Sequence, residues 1–151
     1  WEQFHSPKNL SMALAGEAAS GKGVDAGDAV SAADAAARRL CQDTGVVVAV
    51  TGPVDLVIAP DGRRAEIANG HPLMPRVTAL GCALTGIVAA FAATSDDAFE
   101  ATVSALTYYG IAGEHAAMST SHPGTFYVSF LDALHALEPE TVNAAAKVTL
   151  S

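Results

Sequence analysis

Apolar residues in this chain fall into runs of two lengths, and the alternation between them lays out the elements. Short runs bounded by turn residues read as strands: Val46–Val50, Val54–Ala59 and Arg64–Ala68, the last two joined by the turn Pro60-Asp61-Gly62. The Val46–Val50 run is apolar at every position and predicts a strand buried on both faces, as in a parallel sheet. The two runs after it follow so closely that they predict a small meander or edge beside that strand. Longer runs carry the helical period. Asp28–Asp43 places Val30, Ala33, Ala37, Leu40 and Cys41 on one face, with Asp28 as cap, Arg38 and Arg39 near the C-terminus, and Gly45 as the stop. Cys82–Ala93 is the longest apolar run and reads as a buried helix. A further helix runs from Asp97 to about Met118, capped by Ser95 or Asp96, with Phe99, Val103, Leu106 and Tyr108 or Tyr109 on its apolar face. Gly110 and Gly113 interrupt it, and close helix packing is the plain explanation. Thr125–Leu137 follows Pro123 as a helix bearing Phe126, Phe130, Leu131 and Leu134, and the tail Glu138–Ser151 ends in a weak helix or strand.

The N-terminal quarter is less regular. Trp1–Ser11 shows no period, Met12–Gly16 allows a short helix, and Glu17–Gly27 is a Gly-, Ala- and Ser-rich loop. Gly16-x-x-x-x-Gly21-Lys22 has most of a phosphate-binding P-loop. The next residue, however, is Gly23 where Ser or Thr should meet magnesium, and the stretch follows no strand. It is rejected as a P-loop.

Composition narrows the function. The 151 residues are 50% hydrophobic, enough for one domain with a packed core. A net charge of −8 with only 8 scattered Lys and Arg argues against a nucleic-acid partner. No apolar run approaches the roughly 18 residues needed to cross a bilayer, so no membrane partner is expected. The 2 cysteines, far apart, fit a reducing, cytoplasmic setting better than a disulfide framework. The chain begins with Trp1, which suggests a processed product or part of something longer.

The candidate chemistry lies where Thr78-Ala79-Leu80-Gly81 enters the Cys82–Ala93 helix. First-turn N–H groups have no intrahelical partner and sit at the positive end of the dipole, so this is a natural place for an anion. Cys82 would fall in that turn, where the thiolate is favoured; the alternative is a small residue packing a helix end. Gly81 with Ala79 and Leu80 would form the anion hole. Thr78 could add a hydroxyl to phosphates or merely cap the helix. Thr51, at the carboxyl end of its strand, stands where ligands gather in α/β sheets, or is simply a turn former. Arg76, His71 and His122 rank low, and Asp55 and Asp132 read as solvated or capping carboxylates. No His, Cys and Asp set has zinc spacing, and no Gly-x-Ser-x-Gly elbow is present.

The segment Leu73-Met74-x-Arg76-Val77-Thr78-x-x-Gly81-Cys82-Ala83-Leu84 resembles the signature of hydroxyethylthiazole kinases, thiamin-salvage enzymes of the ribokinase-like superfamily. The likeness extends through Gly21-Lys22-Gly23-Val24-Asp25, Val50-Thr51-Gly52-x-Val54-Asp55 and Pro123-Gly124-Thr125-Phe126…Phe130-Leu131-Asp132-Ala133-Leu134, from about Met12 to Leu137. The resemblance implies a single domain, residues 1–151, with the α/β fold of the C-terminal half of such a kinase: a partial three-layer arrangement with a parallel sheet flanked by helices. It implies phosphoryl transfer from ATP, with Mg2+, to the hydroxyl of hydroxyethylthiazole. By residue, it makes Cys82 the catalytic group and Gly81 part of the phosphoryl-binding turn. It puts Thr51 and Thr78 against ATP and Ala79 against substrate, and assigns no metal ligand. It also implies a homotrimer with sites between subunits, or a companion N-terminal half.

Two departures from the family pattern stand out. Family members favour Gly where this chain has Ala79, and a Cβ there opposes positive φ. Over residues 1–11, where members carry nucleotide- and magnesium-contacting Arg, Asn and Glu, this chain has His5, Ser6, Pro7, Asn9 and Leu10. A catalytically incomplete nucleotide- or thiazole-binding module is therefore the alternative reading, and another ribokinase-like activity such as a hydrate dehydratase the third.

Overall fold

The computed structural model describes residues 26–151, with side chains from Ala33 onward. The expectations for Trp1–Ser11, the short helix, the glycine-rich loop, the rejected P-loop and Gly21–Asp25 lie outside the described residues. Helix α1 (Ala26–Thr44) starts two positions before the expected Asp28, which puts Asp28 inside the helix and not at its cap. It stops as expected: Gly45 takes φ +68 and its N–H donates to the Cys41 carbonyl at 2.9 Å, the left-handed C-terminal arrangement that glycine adopts without steric penalty.

Three strands follow, β1 (Val48–Val50), β2 (Asp55–Ile58) and β3 (Arg64–Ile67), and the tail contributes β4 (Val148–Leu150). The sheet order is β1-β2-β3-β4 and every pair is antiparallel. The meander is as expected, but the parallel sheet is not found among the described residues. The reason is chain length. Only Thr51–Val54 separates β1 from β2, and a parallel return needs a crossover of about a dozen residues or more. Val48 therefore lies opposite Ile58, and Val50 opposite Leu56. Burial on both faces belongs to β2, where Leu56, Val57 and Ile58 are all buried, while Val47, Ala49 and Val50 remain half-buried.

Alternation along β2 splits the core into two layers. Leu56 and Ile58 join Val46, Val48, Ala37 and Cys41 under α1. Val57 and Ala59 join Ala65, Ile67, Phe99 and Leu106 on the opposite face. That face is covered by α3 (Ala98–Ala117), the most buried helix described. Asp97, not Ser95 or Asp96, caps it, accepting from the N–H groups of Phe99 and Glu100 at 2.9 and 3.1 Å. On the far side of α3 lie α2 (Leu80–Ala93) and α4 (Pro123–Ala136), which close a third cluster around Leu73, Leu80, Tyr109, Phe126 and Phe130. A short helix, α5 (Pro139–Ala145), leads into β4. No helix among the described residues is long and apolar enough to cross a membrane.

Neither glycine interrupts α3. A Cβ on Gly110 would stand 2.6 Å from the Asn69 carbonyl oxygen, and one on Gly113 would meet the Met74 side chain. Both glycines let the helix touch the loop ahead of α2. Gly110→Ala should cost about 2–4 kcal/mol, because backbone must move. Gly113→Ala should cost less, because a flexible methionine can yield. Urea unfolding of both variants checks the order.

Candidate active site

The loop from Asn69 to Ala79 builds the site, and α3 holds it from beneath. Asn69 is buried. Its Nδ2 donates to Glu114 Oε1 at 3.2 Å and to the Ala145 carbonyl at 3.0 Å, while its Oδ1 accepts from the Lys147 N–H at 2.7 Å. Gly70 N–H donates to the same Glu114 oxygen at 2.9 Å, and Lys147 Nζ lies 3.0 Å from it. Burial pushes the Glu114 carboxyl up, but the donors from Gly70, Lys147 and Asn69 outweigh that and hold it below its ordinary value. Further along, a single 3-10 turn (Met74–Arg76) packs Met74 against α3, and His71 Nδ1 accepts from the Leu73 N–H at 3.3 Å.

The loop ends at Ala79, the only non-glycine residue described with positive φ, at +75. The family-favoured glycine is thus absent where the backbone is left-handed, at a cost of roughly 1 kcal/mol. The helix that follows has no side-chain cap, which sets aside Thr78 as a capping residue. The first N–H in this region to find an acceptor is that of Ala83, bonded to the Ala79 carbonyl at 2.9 Å. The N–H groups of Leu80, Gly81 and Cys82 have no acceptor among the described residues. Cys82 is exposed, not packed into hydrocarbon. Tyr109 Oη donates to the Leu80 carbonyl at 2.7 Å, and its ring meets Phe130 edge-on at 4.8 Å, so the start of α2 is fixed from below. Burial pushes the Tyr109 phenol well above its ordinary range, so it stays a neutral donor.

A cleft of about 630 Å3 runs between this turn and the β1–β2 connection. Thr51, Gly52, Asp55, Gly70, His71, Leu80, Gly81 and Tyr109 are among its walls. The structure thus brings Thr51 and Gly81, 30 residues apart in sequence, into the walls of one cleft. Thr78, Ala79 and Cys82 stand exposed on the same turn, outside the lining. Arg76, His122 and Asp132 are exposed and take no part in the walls.

Asp55 is where the sequence reading falls short. It does cap a turn, accepting from the Gly52 N–H at 2.8 Å, and it is half-buried in the cleft wall. Burial lifts its carboxyl to about 6, against a smaller opposing effect of that hydrogen bond. It is the sole carboxylate in the cleft lining. The visible signal was a Gly-x-x-Asp spacing across a strand turn, which is too common to mark a site.

Two outcomes follow. Ala79→Gly should stabilise the protein by about 0.5–1 kcal/mol, read as a shift in the urea midpoint, by relieving the left-handed backbone. For Asp55 the folded carboxyl holds its proton more tightly than the unfolded one. Its contribution is therefore most favourable at low pH and is lost as pH rises from the ordinary value of 3.8 through about 6. Melting temperatures of Asp55→Asn should rise relative to the parent across that window and stay offset above it; parallel melting curves at all pH values would contradict this.

The match to known proteins agrees with this geometry. Residues 9–140 match the hydroxyethylthiazole kinase family. A hydroxyethylthiazole kinase of Cereibacter sphaeroides is 60% identical over 138 residues, covering 91% of this chain and 52% of that protein. One from Rhizobium leguminosarum bv. trifolii is 52% identical over 140 residues, again covering 91% and 52%. The solved hydroxyethylthiazole kinase of Pyrococcus horikoshii OT3 superposes with a TM-score of 0.76 at 33% identity, covering 82% of this chain and 48% of that one. The chain spans about half the length of the curated relatives it matches. An α/β chain with the signature turn at its cleft, matched over residues 9–140, belongs to the hydroxyethylthiazole kinase family.

Proposed function

We propose that the whole protein transfers the γ-phosphoryl group of ATP to the hydroxyl of hydroxyethylthiazole, a step of thiamin salvage. One observation carries this reading: the uncapped first turn of α2 offers three N–H groups without acceptors and an exposed sulfur beside a cleft that also reaches Thr51. Catalysis of phosphoryl transfer is mostly positioning and charge stabilisation. The amides of Leu80, Gly81 and Cys82 meet the negative charge of the moving phosphoryl group. Cys82 orients the acceptor hydroxyl and takes its proton as the new O–P bond forms and the bond to the ADP oxygen breaks. Thr51 and Thr78 contact the nucleotide, and Ala79 lies against the acceptor.

Magnesium is the expected companion of ATP. Among the described residues no three His, Cys, Asp or Glu side chains gather, and Asp55 is the one carboxylate in the cleft walls, so these residues do not form a magnesium site by themselves. The companion half of the kinase would supply the remaining ligands and, on the free side of β1, the parallel strands of a ribokinase-like sheet. β1 pairs only with β2 among the described residues, so that edge is open to it. A homotrimer in the cytoplasm is part of the same reading; exposed Tyr127, Val128 and Leu131 on α4 suit a subunit contact.

In the intact native protein, Cys82→Ala should lower kcat by about 10²- to 10⁴-fold while the ATP Kd stays within about twofold. Unchanged turnover removes Cys82 from the chemistry. ATP binding with no turnover in the parent protein marks a binding module instead.

A further inference from the structure

We infer that Asp55 is a positioning residue for nucleotide binding: by accepting the Gly52 N–H it holds the β1–β2 connection closed and so keeps Thr51 at the cleft. The inference rests on the reading of Thr51 as a nucleotide contact and adds the residue through which that contact is maintained.

The connection Thr51-Gly52-Pro53-Val54 is exposed at all four positions, so packing does not order it. Val50 opposite Leu56 is the last ladder pair, and beyond it no backbone–backbone hydrogen bond crosses the turn. What remains is the 2.8 Å bond from Gly52 N–H to Asp55 Oδ1, together with the fixed φ of Pro53. Asp55 sits on the first residue of β2, whose next three residues are all buried. Its own backbone is therefore anchored, and the carboxylate reaches back from a rigid strand to a connection that has no other tie. Thr51 and Asp55 both line the cleft. A side chain that fixes the conformation of a ligand-facing loop contributes to affinity by lowering the cost of ordering it on binding.

The oxygen that matters is an acceptor, which separates this role from one that needs charge. In Asp55→Asn the amide oxygen can still accept from Gly52, so ATP affinity should stay within about twofold of the parent. Asp55→Ala removes the acceptor and should raise the ATP Kd and KM about tenfold, with kcat at saturating ATP and the thiazole KM within about twofold. Asp55→Leu, of similar size and without an acceptor, gives the same reading should the alanine variant not fold. The decisive measurement is the cycle with Thr51→Val, in the intact native protein by calorimetry and steady-state kinetics. If Asp55 acts through Thr51, then Asp55→Ala adds little further loss in the Thr51→Val background. Losses that multiply, or an Asp55→Ala variant that binds ATP like the parent, overturn the inference. Thr51→Val binding ATP as the parent does is a different result: it removes the nucleotide role of Thr51, on which the inference stands. A fall in kcat and both KM effects together, shared by Asp55→Asn, would mark a structural carboxylate and also overturn it.

Discussion

The site depends on how closely α3 approaches the loop that precedes α2. Gly110 lets the helix backbone touch the Asn69 backbone, and Gly113 makes room for Met74 one turn later. Between and beside them, Tyr109 bonds the Leu80 carbonyl and Glu114 takes the Gly70 N–H. One stripe of α3 therefore fixes both ends of the loop: Asn69 and Gly70 where it starts, and Leu80 where it becomes a helix. The tail is drawn in by the same means, since Asn69 bonds Ala145 and Lys147, and the chain then continues as β4 against β3. Because backbone groups buried without partners are costly, these bonds leave the loop little freedom.

Held this way, the chain can carry a helix start that is locally unfavourable. Ala79 is left-handed with a Cβ, and no side chain caps α2. Each feature forgoes roughly 1 kcal/mol that an ordinary helix start would have. The contrast with α3 is direct, since Asp97 caps that helix with two hydrogen bonds and also pairs with Arg63 at 2.7 Å. α4 and α5 also start without a side-chain cap, but of the three uncapped starts only that of α2 contributes to the cleft walls. Amides occupied by a cap would not be available to a phosphate.

Two carboxylates show how surroundings separate like groups. Glu114 receives three donors, one of them the Lys147 ammonium, and is held ionised in spite of burial. Asp55 receives a single backbone N–H in an apolar wall, and burial prevails. The first group anchors structure. The second lines the cleft, where its one hydrogen-bond donor is the Gly52 N–H.

Much of this was present in the chain itself. Turn residues and apolar period located β1 to β3 and α1 to α4 to within a few residues, because Gly45, Pro60-Asp61-Gly62 and Pro123 act through local backbone preferences that do not wait for the fold, whereas α5 was not expected as a helix and β4 was left as helix or strand. The motif around Cys82, read through the family resemblance, marked the turn whose Leu80 and Gly81 line the cleft. Strand direction was a different matter. A run such as Val46–Val50 reads alike in parallel and antiparallel sheets, and only the short Thr51–Val54 connection, realised in pairing, decides between them. The left-handed backbone at Ala79, the purpose of Gly110 and Gly113, and the cleft position of Asp55 are set by contacts between residues tens of positions apart. Local preferences carry no record of such contacts, and packing alone establishes them.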